Sequence, residues 1–177
     1  MIKNLCLSIS LLCISLASNA QRPTKLAIGQ SGCHAYFLCN VSEFGTSFSE
    51  DSSVIYTGEC IGQDSINYGI ICVKLKEQTN DLQQAEDVMI QYMDYLKKAY
   101  DISTAVGYGK GHTMASNPSA RGVIDFWTDR YKREWKIKGW TDGKFIAVLY
   151  VVSLKGTLAY STKNELFLDG FRFPGKN

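Results

Sequence analysis

The side chains best equipped for covalent or metal chemistry in this chain are four thiols, Cys33, Cys39, Cys60 and Cys72, gathered between Lys25 and Lys74. Structural zinc sites draw on close Cys-x-x-Cys pairs. This set, even with His34 added, has none, so disulfides are the chemistry it fits. Four cysteines allow three pairings. Val54 to Ile61 and Tyr68 to Leu75 read as two strands joined around Gln63 to Asn67, and a hairpin centred near Ile66 sets Cys60 opposite Cys72. Opposed residues bring their Cβ atoms to about 4.5–5.5 Å, close to what a bridge requires. Cys33 and Cys39 pair less easily, because six steps along a straight strand from His34 to Cys39 would hold them about 20 Å apart. Pairings that cross between this strand and the hairpin stay open.

Other reactive groups are sparse. His34 and His112 are the two histidines, neither with a nucleophile beside it in sequence. There is no Gly-x-Ser-x-Gly, His-Glu-x-x-His, Walker or calcium-loop pattern. Gly107-Tyr108-Gly109-Lys110-Gly111 resembles a phosphate cradle only in its glycines, since it lacks the Walker spacing and its Lys-Ser/Thr ending. Glu86 and Asp87 fall together on the polar side of a helix, where a pair of carboxylates lacks the contrasting environments that acid–base work needs. We expect no catalytic, metal or cofactor site, and hence no enzyme.

Two surface features could recognise a partner. Arg130, Lys132, Lys136 and Lys138 form a one-sided basic stripe beside Trp140, suited either to an acidic partner or simply to solvent. Thr113 to Arg121, with Asn117-Pro118-Ser119, reads as a long polar loop able to close over a cleft or merely to connect. Asn40-Val41-Ser42 matches a glycosylation acceptor, relevant only in a eukaryotic host.

The elements that must position these groups begin after a leader. Lys3, the apolar run Leu5 to Leu16 and the small residues Ser18-Asn19-Ala20 have the three regions of a cleavable secretory signal, with cleavage expected after Ala20. The run is shorter than the roughly 20 apolar residues a membrane span requires. Secretion or delivery to a periplasm follows, and with it the oxidising compartment in which thiols bridge. Of 177 residues, 157 then remain, one domain's worth. Lys3 is the one charge lost of 19 basic residues, leaving 18 against 17 acidic ones. That balance offers no global field for nucleic acid or an anionic membrane surface.

Within that domain, residues 21–52 form an N-terminal segment holding the first strand with Cys33 and Cys39, and residues 53–177 hold a sheet and two helices. Leu82, Ala85, Met89, Met93, Leu96 and Tyr100 recur at helical spacing, which predicts a helix from about Asp81 to Tyr100 with Asn80 and Gln83 as its capping box. Strands are expected at Val106 to Met114, Gly122 to Asp129, Tyr131 to Lys138 and Lys144 to Leu154, the last two joined by the Asp142-Gly143 turn. Phe145 to Leu154 is apolar on both alternating faces and must be covered on both. A short closing helix capped by Thr162 and Glu165 supplies the second cover. The fold class expected is therefore α+β: an antiparallel meander covered by helices on both faces.

The ending Phe167-Leu168-Asp169-Gly170-Phe171-Arg172-Phe173, preceded by a hydrophobic strand and a lone long helix, resembles the PsbP-like superfamily, whose members often close on Phe-Leu-x-Ser-Phe-x-Phe; Gly170 stands where serine is more usual. The resemblance spans about residues 53–173. It implies an α/β/α sandwich and mostly non-catalytic roles, such as extrinsic photosystem II subunits, a small Ran-binding factor and bacterial adaptors, with no site residue to carry over. Three functions fit: an exported non-enzymatic binding or assembly module meeting an unknown protein partner, in a narrower form a periplasmic immunity or inhibitor protein; a small-ligand carrier with an aromatic pocket between sheet and long helix among Tyr92, Trp127 and Trp135; and an enzyme of unfamiliar type. Mass spectrometry of the exported protein is expected to find Gln21 at the amino end; an intact Met1 would remove the compartment inference.

Overall fold

Phe145 to Ser153 is buried along its whole length in the computed structural model, which describes residues 22–176. The leader, Met1 to Ala20, and the amino end at Gln21 lie outside the described residues. Around this strand the chain runs in the order β1 (Thr24–Ala27), β2 (His34–Phe37), β3 (Gly45–Phe48), β4 (Val54–Ile61), β5 (Ile66–Lys74), α1 (Leu82–Ala99), β6 (Ile102–Ala105), β7 (Gly109–Met114), β8 (Asn117–Asp129), β9 (Glu134–Thr141), β10 (Phe145–Ser153) and α2 (Thr162–Leu168). An eight-stranded antiparallel sheet has the order β3-β4-β5-β10-β9-β8-β6, with β7 also paired to β8; β1 and β2 form a separate hairpin. β10 is thus interior, flanked by β5 and β9.

The two faces are covered differently. On one, Met89, Met93 and Leu96 of α1 sit on Val123, Trp127, Ile137, Ile146 and Val148. α1 comes close because β9 offers Gly139 beneath it: a Cβ there would lie 2.8 Å from the Met93 sulfur and 3.0 Å from that of Met89. On the other face, Ile28, Ala35 and Phe37 of the N-terminal hairpin and Phe167, Leu168, Phe171 and Phe173 near the C-terminus cover Tyr68, Ile70, Ala147 and Leu149. These two chain ends are joined through paired backbone hydrogen bonds between His34 and Arg172, 3.0 and 2.8 Å. Edge-to-face rings at 5.0 Å (Phe37–Phe167) and 5.3 Å (Tyr68–Phe167) fill the layer between.

The expectation of helices on both faces is overturned. Strand makes up 45% of the structure and helix 16%, in two helices. The fold is β-rich, not an α/β/α sandwich, because the second cover is mostly the N-terminal hairpin and the extended C-terminal segment. α2 contributes seven residues, about two turns.

Local boundaries move for identifiable reasons. Asp81, one residue after the expected cap, starts α1: its carboxylate accepts the backbone N–H of Gln83 and of Gln84. Ser161, not Thr162, caps α2 by accepting the N–H of Lys163. The β4–β5 turn closes earlier than expected, over Gly62 to Ser65. Gly62 N–H donates to the Ile66 carbonyl at 2.8 Å, the Asp64 carboxylate accepts the Ile66 N–H, and Ser65 takes a left-handed φ of 63°. Ile66 and Asn67 are thereby drawn into the strand, which sets Cys60 opposite Tyr68 and Cys72 opposite Tyr56. The expected Cys60–Cys72 bridge is consequently absent, and Cys60 joins Cys39. Closing 21 residues of sequence separation restricts the unfolded chain by about 3 kcal/mol in the chain-entropy account. The region from Thr113 to Arg121 is also no open loop: β7 and β8 continue through it as a hairpin, pairing Met114 with Asn117.

Phe171 is fully buried against Phe173, ring centroids 4.9 Å apart. Phe171→Ala is expected to destabilise the fold by about 3–5 kcal/mol in urea unfolding, and a near-neutral effect would contradict its place in the second cover.

Candidate functional site

Three exposed apolar side chains, Val106, Phe126 and Tyr160, meet at one end of the sheet, while others such as Phe48, Ile61 and Tyr95 are scattered over the surface. β8 lies next to the edge and is apolar on both sides: Val123 and Trp127 point beneath α1, while Phe126 points to the other face, where α2 does not reach over it and it stays 45% exposed. Val106, just beyond β6, is held beside it by its N–H donating to the Phe126 carbonyl at 3.0 Å and is 81% exposed. Tyr160, from the segment leading into α2, is 82% exposed. These three, with Leu158, border a groove of about 410 Å³ whose polar wall is Glu134, Lys136 and Glu165. The sheet order ends at β6, so among the described residues the outer backbone edge beside this groove pairs with no further strand.

The groove's walls are fixed by charge. The Lys136 ammonium meets the Glu165 carboxylate at 2.5 Å and lies 5.5 Å from the Phe126 ring centre. Glu134 accepts the Leu158 N–H at 2.7 Å and donates its own N–H to the Gly156 carbonyl at 2.8 Å, pinning the segment that carries Tyr160. Next along β9, Lys138 is ion-paired to Asp169 at the end of α2. Ion pairs fastening α2 to β9 hold the groove at constant width.

The expected basic stripe is therefore not one surface. Lys136 and Lys138 face inward toward α2, Trp140 is buried between them and the second cover, and Arg130 and Lys132 lie apart on the β8–β9 turn. Arg130 pairs with Asp101 at 3.3 Å, and Lys132 adopts a left-handed φ of 61°. That turn replaces the first residues of the strand expected from Tyr131. The buried Asp129 carboxylate gathers it, accepting the N–H of Tyr131 (2.8 Å) and Arg133 (3.0 Å), the Arg133 guanidinium (2.7 Å) and the Trp135 indole (3.1 Å).

Other residues singled out from sequence take structural places. Trp127 and Trp135 are buried in the α1-facing cluster with Tyr92 against its margin, so the carrier pocket expected there is filled by packing. The Gly107 N–H donates to Asp125, fully buried and also paired to Lys97 at 3.1 Å, so the glycine-rich segment binds an internal carboxylate in place of a phosphate. Glu86 is not on a solvated face: it is buried and meets Lys110 at 3.1 Å. His34 serves the β2–Arg172 pairing. His112, on β7, is held below the usual imidazole range, first by burial and then by Lys138. Cys33 and Cys72 are buried thiols, and no cluster of three or more metal-ligating side chains exists among the described residues. A second concavity of about 470 Å³, bordered by Glu43, Glu59, Ile70, Tyr100 and Tyr150, mixes polar and apolar walls, and within it the Tyr150 hydroxyl donates to Glu59 at 3.0 Å.

Val106, Phe126, Leu158 and Tyr160 were missed in the sequence reading. Their one visible sign is that the strand from Gly122 to Asp129 carries Phe126 on the face opposite its tryptophan. No protein-family model matches the chain, and no curated protein matches it in sequence. No helix among the described residues is long and apolar enough to cross a membrane, and the Cys39–Cys60 bridge is consistent with an oxidising compartment.

Burial alone would raise the Asp129 carboxyl, yet the hydrogen bonds and charge of Arg133 and the Trp135 indole hold it below the usual carboxylate range. With the folded value lowered, its stabilisation is full above about pH 4 and fades as pH falls through the folded value. Asp129→Asn should therefore cost about 1–3 kcal/mol at pH 7 and show a weaker loss between pH 5 and pH 3 than the wild type in urea unfolding. Equal acid sensitivity in both would show that another group is responsible.

Proposed function

We propose that this chain is an exported, non-enzymatic binding module that grips an extended apolar segment of a protein partner along the β6 edge. The observation that carries this reading is the convergence of Val106, Phe126 and Tyr160, all exposed, on one groove beside a sheet edge that pairs with no further strand among the described residues. A strand added at such an edge gains backbone hydrogen bonds, and its alternate side chains reach the adjoining pocket. Aromatic groups in a partly dry pocket are the usual carriers of affinity. Large apolar side chains concentrated in one patch at the surface mark an interaction site, whereas scattered ones do not. The Lys136–Glu165 ion pair and the Leu158 N–H donated to Glu134 keep the groove formed before the partner arrives, which lowers the ordering cost of binding. The reading of Lys3 to Ala20 as a cleavable signal supports export, and the Cys39–Cys60 bridge agrees with it.

The test is photocrosslinking in the exporting cell, with a photoreactive residue placed at Val106, at Tyr160 or at Phe48 on the opposite edge, which is also exposed. The expected result is one adduct of the same added mass from positions 106 and 160 and none from 48. Equal adducts from all three positions, or adducts from 48 alone, would overturn the assignment of this edge.

A further inference from the structure

Cys33 and Cys72 are the two cysteines among the described residues that the Cys39–Cys60 bridge leaves unpaired. Cys33 lies directly before β2, Cys72 in β5, and both are fully buried in the cluster between the sheet and the N-terminal hairpin. The turn that leads into Cys33 lies on the strand beside Cys72: the Ile28 N–H donates to the Cys33 carbonyl at 2.9 Å, and Gly29 of that turn packs against the ring of Tyr56, the residue opposite Cys72 in the β4–β5 pairing. Ser31 orders that turn: its Oγ donates to the Ile28 carbonyl at 2.6 Å and accepts the Cys33 N–H at 3.0 Å.

The existing bridge limits how far apart the two thiols can lie. In the β4–β5 register Cys72 faces Tyr56 and Cys60 faces Tyr68, so the two sheet cysteines lie four residues apart along the hairpin and one strand apart. That is about 13 Å along and about 5 Å across. Six steps from Cys33 to Cys39 reach about 20 Å when extended, and less here because the chain bends at Leu38 and Cys39. With Cys39 tied to Cys60, Cys33 at the other end of the same segment is within reach of Cys72.

We propose that Cys33 and Cys72 form a second disulfide in the exported protein, fastening the β2 segment to the sheet at both ends. This rests on the export reading above, which supplies the compartment. The oxidant is a disulfide R–S–S–R, a small molecule or an exchange protein. One thiolate attacks it and releases one R–SH. The second thiolate then displaces the other sulfur as R–SH, so the two electrons and the two thiol protons leave with the two R–SH molecules and the Cys33–Cys72 bond remains. Hydrogen bonding to Cys33 and burial push the Cys72 thiol well above its ordinary range. Thiolate is the attacking species, so the exchange takes place while the chain folds, before the hairpin covers the sheet.

No Lys or Arg lies between Lys25 and Lys74, so trypsin would leave all four cysteines on one peptide. The full-length chain is therefore to be expressed with its leader, collected from the exported fraction, alkylated with iodoacetamide in denaturant without reductant, and digested with chymotrypsin. Chymotrypsin can cut at Phe37, Phe44, Tyr56 and Tyr68 and so separate the four cysteines. The expected result is a 33–72 linked peptide beside a 39–60 one, no alkylated cysteine, and an intact mass about 4 Da below that of the reduced chain, since each bridge removes two hydrogens. A 39–60 link with alkylated Cys33 and Cys72 would overturn the second bridge while leaving export intact. Six alkylated cysteines, Cys6 and Cys13 of the leader included, together with an uncleaved Met1 would overturn the proposal and the export reading at once.

Discussion

Leaving one side of Phe145–Ser153 in water would expose a row of large aliphatic side chains, each worth roughly 1.5–3 kcal/mol on burial. β10 is apolar on both sides, so the chain must build two covers for it and place neighbours at both its edges. α1 meets the first demand with a Met and Leu stripe, brought close by Gly139. The second is met by segments from the two ends of the chain, joined where His34 pairs with Arg172. In the sheet order β10 lies between β9, which reaches it through a tight turn, and β5, which is separated from it in sequence by α1 and four strands.

Charge completes what apolar burial starts. Asp125 and Asp129 are fully buried carboxylates near the β6 end of the sheet, and each is surrounded by donors: Gly107, Trp127 and Lys97 for one, Tyr131, Arg133 and Trp135 for the other. A buried carboxylate lacking such partners would be strongly destabilising. With them, it dictates where a bulge or turn must lie. The lysines of β9 act in the same way toward α2. Two of the four cations in the apparent surface stripe thus hold the second cover in place, and the groove walls exist because of those pairs.

Several features were legible in the residues themselves. The long helix follows from the 3.6-residue recurrence of Leu82 to Tyr100, and the buried central strand from the double-sided apolarity of Phe145 to Leu154, since both are local periodicities. The β4–β5 register was not legible. Gln63 to Asn67 contains several residues able to turn, and only the hydrogen bonds of Gly62, Asp64 and Ser65 decide where the reversal falls. A shift of two residues in that turn moved Cys60 away from Cys72. The character of the second cover was hidden for a related reason: Thr24 to Phe37 is too short and too weakly patterned to announce that it will lie across a distant sheet.

By itself, the sequence determined that one strand would be buried on both faces, that a Met-rich helix would cover one of them, and that the four thiols beyond the leader region would sit in the first half of the chain. These are properties of side-chain type and periodicity, which neighbours along the chain suffice to specify. Tertiary structure alone decided which thiols meet, which lysines face inward and which aromatics remain outside. Each of those outcomes depends on register and on contacts between residues tens of positions apart: Cys39 with Cys60, Lys136 with Glu165, and Phe126 left uncovered where α2 stops short.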